Sequence, residues 1–382
     1  MPSIPEDGMA LSRRNFLHRT AAGAGAAALF QIPFAERLLA SPEPSRAQAA
    51  GAAVRINSNE NPYGPLSSAM KAMQDALANG NRYPDFGYRH LTSLIASANR
   101  VEDDQVLLGA GSTELLRISA QAFAGPGKNV VTASPTFEQL GDFSKAIGSD
   151  VRTVPLTSTY AHDLDAMLQR IDANTGLVYV CNPNNPTASI TPDGDITAFL
   201  ARVPGNAVTI IDEAYHHFAM GMPGYSSFME AAGDRVLVLR TFSKIYGMAG
   251  MRLGYGVASA AMIKKMSAFR LPINVNAAVN AGGIASLQDD AAMKSAAQRN
   301  AADRAEFTRQ AAARNVTMIP SYANFFMLKT GRPAKEVIAG FQAQNVLIGR
   351  PFPPMLDWVR VSLGLPDENR AFWSAWDRQK LG

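Results

Sequence analysis

Residues 207–212 read AVTIID, an unbroken apolar run that stops at a single carboxylate, Asp212. Three more runs have the same character: NVVTA at 129–133, LVYVC at 177–181 and RVLVLRT at 235–241. Runs that are apolar on both faces suit parallel strands covered on each side by helices. The segments between them carry helical spacing, as in STELLRISAQAF at 112–123 and PDGDITAFLARV at 192–203. The expected fold is therefore α/β, a mostly parallel sheet covered by helices. In such sheets ligands gather beyond the carboxyl ends of the strands, so the polar residues at those ends become candidates for chemistry.

On the N-terminal side, helical spacing at 66–78 and 88–98 brackets a turn at RYPD, 82–85. On the C-terminal side, the Ala-rich stretch 274–314 predicts one or two helices and a joint between two lobes. Strands are expected at 324–330, 345–349 and 358–364, with helices at 333–344 and 366–379, which together make a smaller α+β domain. The expected organisation is an N-terminal arm and small-domain segment over 50–80, a large domain over 81–273 and a small C-terminal domain over 274–382.

The chain has 382 residues, 47% of them hydrophobic, and a net charge of +4 spread along its length. That pattern gives no reason to expect nucleic acid or an anionic membrane as partner, and favours small-molecule chemistry. A single cysteine, Cys181, excludes an intramolecular disulfide and reads as packing. Residues 1–49 differ from the rest. SRRNFLH at 12–18 sets Arg13 and Arg14 before Phe16 and Leu17, followed by the weakly apolar TAAGAGAAALF at 20–30 and by Ala47-Gln48-Ala49. This order reads as a twin-arginine export signal with a cleavage site, and implies a periplasmic protein. The run is too short and too rich in Ala and Gly for a stable membrane anchor.

The chemistry turns on TFSKIYGMAGMRLGYG at 241–256, where Lys244 stands alone among glycines and apolar residues. Taken singly, each candidate has a plain structural reading. Asp212 suits a turn or helix cap, GAGSTELL at 109–116 a capped helix start, and NPNNPT at 182–187 a turn. Together they match one cofactor. Pyridoxal phosphate bound through a lysine imine needs an amine, an anion cradle and a carboxylate facing its pyridine nitrogen. Lys244 would supply the amine, with small neighbours so that a ring can approach closely. The helix start at Ser112 and Thr113, with Thr241, Ser243 and Arg252, would hold the phosphate. Asp212 would keep the ring protonated.

NSNENPYGP (57–65), RYPD, GAGSTELL, SPTF (134–137), NPNNPT, DEAY (212–215), SKIYGMAGMRLGYG (243–256) and WVRVSLG (358–364) occur in one order. That order resembles the fold-type I pyridoxal phosphate aminotransferases, in their histidinol-phosphate aminotransferase-like branch, from about residue 55 to about 370. The resemblance implies transfer of an amino group from an L-amino acid, or an amine like histidinol phosphate, to a 2-oxo acid. It implies Lys244 as nucleophile and base and Asp212 as partner of the ring nitrogen. Asn185 and Tyr215 would bond the ring 3-oxygen, and Phe137 would stack on the ring. Tyr63 would reach the phosphate of a partner subunit, which requires a homodimer. In WVRVSLG, period-two alternation sets Val359, Val361 and Leu363 on one face and Arg360 on the other. The resemblance makes Arg360 the fork for the substrate carboxylate, and directs Arg350 toward the distal end of the substrate.

Two features depart from that branch: Ala188 stands where glycine is usual, and the export signal argues against a biosynthetic histidinol-phosphate substrate. His216 and His217, adjacent on a chain read as extended, would point apart and make a poor metal pair. No metal is expected. A decarboxylase or other lyase on the same scaffold is the second reading, and a non-catalytic periplasmic binder of cofactor or amino acid the third.

Overall fold

The structure, a computed structural model, describes residues 53–381; the expected export signal over 1–49 lies outside them. The chain opens with β1 (Val54–Arg55), α1 (Ser67–Ala76), α2 (Asp85–Asn99), β2 (Val106–Gly109), α3 (Ser112–Phe123), β3 (Asn129–Ser134) and α4 (Gln139–Ala146). It continues through β4 (Asp150–Pro155), α5 (Leu164–Gln169), β5 (Thr175–Cys181), α6 (Asp193–Arg202), β6 (Val208–Asp212) and α7 (His216–Ala219). Then come β7 (Val236–Thr241), β8 (Gly254–Val257), α8 (Ala260–Ser267), α9 (Ala277–Gln288) and α10 (Asp290–Ala312). The last elements are β9 (Phe325–Lys329), α11 (Ala334–Gln342), β10 (Val346–Leu347), β11 (Trp358–Ser362) and α12 (Pro366–Arg378).

The main sheet has seven strands in the order β2-β8-β7-β6-β5-β3-β4. The pairs from β7 across to β4 are parallel, while β8 runs antiparallel to both β7 and β2. All four apolar runs of the sequence became neighbouring central strands. β5 and β6 are buried at every position, as strands covered on both faces must be. The sequence reading missed three strands of this sheet. β4 is an exposed edge with little apolar signal, β8 is the glycine-rich GYGV, and β2 has only four residues.

Residues 274–314 form two helices. The break is at Asp289, whose side chain accepts from the backbone N–H of Ala292 at 3.0 Å and starts the second one. The RYPD segment is shorter as a turn than expected, because Asp85 already begins α2.

Apolar burial falls into separate clusters. Two of them flank the main sheet, one joining its strands to α1, α2 and α9. Another, built on Phe326, Val359, Val361, Phe341, Phe372 and Trp376, gathers β1 and β9 through β11 with α11 and α12. α10 runs between clusters, with Ala296 in the first and Phe307 and Ala311 in that C-terminal one. β9 and β11 pair antiparallel with Arg360 opposite Met327, and β1 pairs parallel with β10. The alternation read in WVRVSLG therefore holds: Val359, Val361 and Leu363 fill the C-terminal cluster, and Arg360 faces away from it. Among the described residues no helix is long and apolar enough to cross a membrane.

Candidate active site

β3, β5, β6 and β7 all end at one edge of the sheet, and a cavity of about 400 Å³ opens there. Its wall includes Ser112, Thr113, Phe137, Asn185, Asp212, Tyr215, Thr241, Ser243, Lys244, Arg252, Arg350 and Arg360. Twelve of the thirteen residues singled out in the sequence thus meet in one place. The register explains why. Cys181 pairs with Asp212, so β5 and β6 finish level, and Asp212 pairs with Leu239, so β7 runs two residues further to Thr241; all three deliver the loops beyond their ends to a common mouth.

Asp212 is buried in the floor, where its carboxylate accepts from the Tyr179 hydroxyl at 2.9 Å and from the Ala214 N–H at 3.1 Å. Burial raises its pKa to about 6, and the bond from Tyr179 works in the opposite direction. Lys244 Nζ donates to the Asn59 carbonyl at 3.0 Å and lies 5.4 Å from the centre of the Tyr215 ring. Burial, followed by the positive charge of Arg360, lowers this lysine to about 8, while Glu60 opposes the shift. The cavity therefore holds an amine that is easy to deprotonate beside a carboxylate whose charge is costly to bury, and a cationic ring nitrogen relieves that cost.

The cradle lies at the N-terminus of α3. The Thr241 hydroxyl donates to Ser243 Oγ at 2.9 Å, and Arg252 Nη1 donates to the same oxygen at 3.3 Å. Gly111 precedes the helix at φ +79°, and a Cβ there would sit 2.1 Å from Arg252 Nη2. This position therefore admits only glycine without displacing the arginine. Gly247, three residues after Lys244, serves a purpose different from the expected one. A Cβ on Gly247 would fall 1.9 Å from the Gly64 carbonyl oxygen, so that glycine lets two backbone segments meet rather than making room for a ring.

Arg360 enters from the opposite wall and is buried. Nη1 donates to Asn185 Oδ1 at 2.7 Å and Nη2 to the Asn57 carbonyl at 2.8 Å, while Nε has no partner. Burial lowers its pKa to about 10, which leaves it cationic at neutral pH. A buried guanidinium with an unused donor, an amine of lowered pKa, a buried carboxylate and a hydroxyl-lined helix start fit pyridoxal phosphate with a carboxylate substrate.

Some expectations need adjustment. Asn185 is engaged with Arg360, and the Tyr215 hydroxyl accepts from Asn59 Nδ2 at 3.0 Å. Tyr63 does not line this cavity of its own chain; its hydroxyl donates to Asp303 at 2.9 Å. Arg350 reaches the rim but is paired with Glu138. His216 and His217 lie on the short helix α7, not on extended chain, and their rings pack edge to face at 5.1 Å. Burial lowers both, so they stay neutral at neutral pH. Cys181 is buried as expected but also touches the cavity. Ala188 takes φ +58°, a left-handed backbone that explains why glycine suits this turn.

Sequence reasoning passed over Tyr179 and Asn59. Tyr179 is two residues before Cys181 on the same strand face, a spacing that aims its hydroxyl at the end of β6 once the register is known. Asn59 holds the site together: its N–H donates to Ser362 Oγ at 2.7 Å and its carbonyl also accepts from Asn324 at 3.2 Å.

The family model for aminotransferase class I and II matches residues 53–371. Histidinol-phosphate aminotransferase 2 of Ralstonia nicotianae is 36% identical over 83% of this chain and 86% of its own length. The histidinol-phosphate aminotransferase of Bacillus cytotoxicus matches to the same extent. The crystal structure of histidinol-phosphate aminotransferase from Sinorhizobium meliloti in complex with pyridoxal-5'-phosphate superposes with a TM-score of 0.80 at 26% identity, covering 86% of this chain and 90% of that one. L-threonine-O-3-phosphate decarboxylase from Porphyromonas gingivalis shares the fold at 23% identity and a TM-score of 0.71. With this family match over most of its length, the chain belongs to the class I and II aminotransferases and is a pyridoxal phosphate-dependent enzyme.

Proposed function

We propose that the cavity residues of this aminotransferase divide the work as nucleophile, ring partner, phosphate cradle and carboxylate fork, a reading carried above all by one observation. Lys244 and Asp212 come from adjacent strand ends into the same cavity that Arg360 enters from the other side. Bound pyridoxal phosphate supplies an aldehyde that condenses with amines and a ring that accepts electrons from the substrate carbon. Lys244 Nζ, lowered to about 8, would hold the cofactor through that aldehyde and, once freed, would be the base that carries the proton of the donor α-carbon to the cofactor carbon. Asp212, oriented by Tyr179, pairs with the ring nitrogen and holds its proton. Ser112, Thr113, Thr241, Ser243 and Arg252 hold the phosphate, and Phe137 covers the ring face. Arg360 binds the α-carboxylate as a fork, with Asn185 fixing its plane. Tyr215, held by Asn59, bonds the ring oxygen.

The working unit in this reading is a homodimer in which Tyr63 serves the partner's cavity; its absence from the cavity of its own chain supports this. Export through the twin-arginine route to the periplasm rests on the order of residues 12–30, and suits a protein that must fold around its cofactor before transport.

The test is the absorbance of purified protein with pyridoxal phosphate, before and after a panel of L-amino acids. A visible band absent from Lys244→Ala, lost on adding one donor as the matching keto acid appears, is expected. Carbon dioxide and an amine as products would replace transamination with decarboxylation. No band at all would remove Lys244 from its role.

A further inference from the structure

The cavity contains four cations, Lys244, Arg252, Arg350 and Arg360, and three of them have work in the proposed reaction. Only Arg350 remains to meet an anionic group at the far end of a substrate. It is already engaged. Its Nη2 pairs with Glu138, Nη1 donates to the Pro351 carbonyl at 3.0 Å, and its guanidinium lies 4.4 Å from the centre of the Phe352 ring. The Phe352 ring also meets Arg360, at 4.7 Å, so one aromatic side chain stands against both arginines. Glu60 adds a second carboxylate to the wall, and its charge is felt at Lys244. Apart from the groups assigned to the cofactor and to the α-carboxylate, the cavity wall thus carries the carboxylates of Glu60 and Glu138 against the guanidinium of Arg350.

We infer that this aminotransferase is built for amino donors whose side chain carries no phosphate, and that Glu138 enforces the choice by occupying Arg350. The inference rests on the aminotransferase reading above and narrows its substrate class. A phosphate ester brings between one and two negative charges near neutral pH. To use Arg350 it must displace Glu138, leaving that carboxylate beside the incoming anion with no cation to share. A donor with an uncharged side chain leaves the pair intact and lies against Phe352 and Phe137. Glu138 and Arg350 are both half exposed, so the discrimination is moderate rather than absolute.

The experiment compares L-threonine with O-phospho-L-threonine, which share the α-carboxylate that Arg360 takes and differ only in a phosphate on the side chain, on the loaded enzyme. Two ratios are read: kcat/KM for the pair by product formation, and Kd for the pair by calorimetry. The wild type should favour the unphosphorylated member. Glu138→Gln should move both ratios toward the phosphate by about tenfold, the scale of one partly screened charge contact. Glu138→Gln combined with Arg350→Gln should return them toward wild type, because the gain depends on a freed Arg350. A wild type that prefers phosphothreonine, or ratios unmoved by Glu138→Gln, would overturn the inference. If neither compound is turned over, the Kd ratio still decides it. Absence of turnover with every donor would count against the aminotransferase reading instead.

Discussion

Lys244 and Arg360 reach the same cavity from regions built in different ways. Lys244 follows β7, inside a parallel sheet whose register brings Asp212, Asn185 and the phosphate cradle level with it. Arg360 sits on a two-stranded antiparallel sheet with its own apolar cluster, and reaches the cavity because period two turns it away from that cluster. The cofactor side is therefore fixed by main-chain pairing. The substrate side is fixed by side-chain contacts, such as Arg360 to Asn185 and Arg350 to Glu138, which single substitutions can retune. The difference predicts that damage on the first side appears in kcat, and damage on the second in KM and donor choice.

The largest effect should come from Lys244→Ala, which removes the nucleophile and base together. Single-turnover rates should fall by at least about 10³-fold, within the range for losing a positioned acid–base group. Asp212→Asn should lower kcat by about 10²-fold with little change in donor KM, as removal of one preorganised charge does. Arg360→Lys sharpens the contrast. Replacing a planar fork by a point charge should raise KM for carboxylate donors about tenfold while leaving kcat less affected. Should Arg360→Lys act mainly on kcat, the division between the two sides would fail.

In protein stripped of pyridoxal phosphate, the two buried groups should give opposite pH slopes. Lys244 is lowered from 10.5 to about 8, so the unfolded chain binds more protons between those values and stability rises with pH across that window. Asp212 is raised from 3.8 to about 6, so the folded chain binds more protons and stability falls as pH rises between those values. Urea midpoints across pH should lose the alkaline rise in Lys244→Ala and the acid-side fall in Asp212→Asn, each change on the order of a few kcal/mol. The smallest effect belongs to Ala188→Gly. Relieving a left-handed alanine at φ +58° is offset by greater freedom of the unfolded chain, and the midpoint should move by less than about 1 kcal/mol.

Much of the site was legible because chemistry and position coincide in α/β sheets. An apolar strand that stops at Asp212, another followed by NPNNPT and a third followed by Ser243-Lys244 mark their own ends. Tyr179 was hidden because, within an apolar run, it looks like any core aromatic, and only the pairing of β5 with β6 brings its hydroxyl to Asp212. β8 was missed because two of its four residues are glycine, which carries no strand signal. Glu138 has no local signal of its own; only the approach of Arg350 from 212 residues along the chain gives it a partner.

The sequence alone determined the mostly parallel sheet, the placing of Lys244 and Asp212 at strand ends and the face on which Arg360 stands, since burial pattern and strand ends are written locally. Tertiary structure alone decided which carboxylate neutralises Arg350, which hydroxyl orients Asp212 and what backbone Gly247 must clear. Those contacts depend on register and on the meeting of distant segments, and neither is encoded in local spacing.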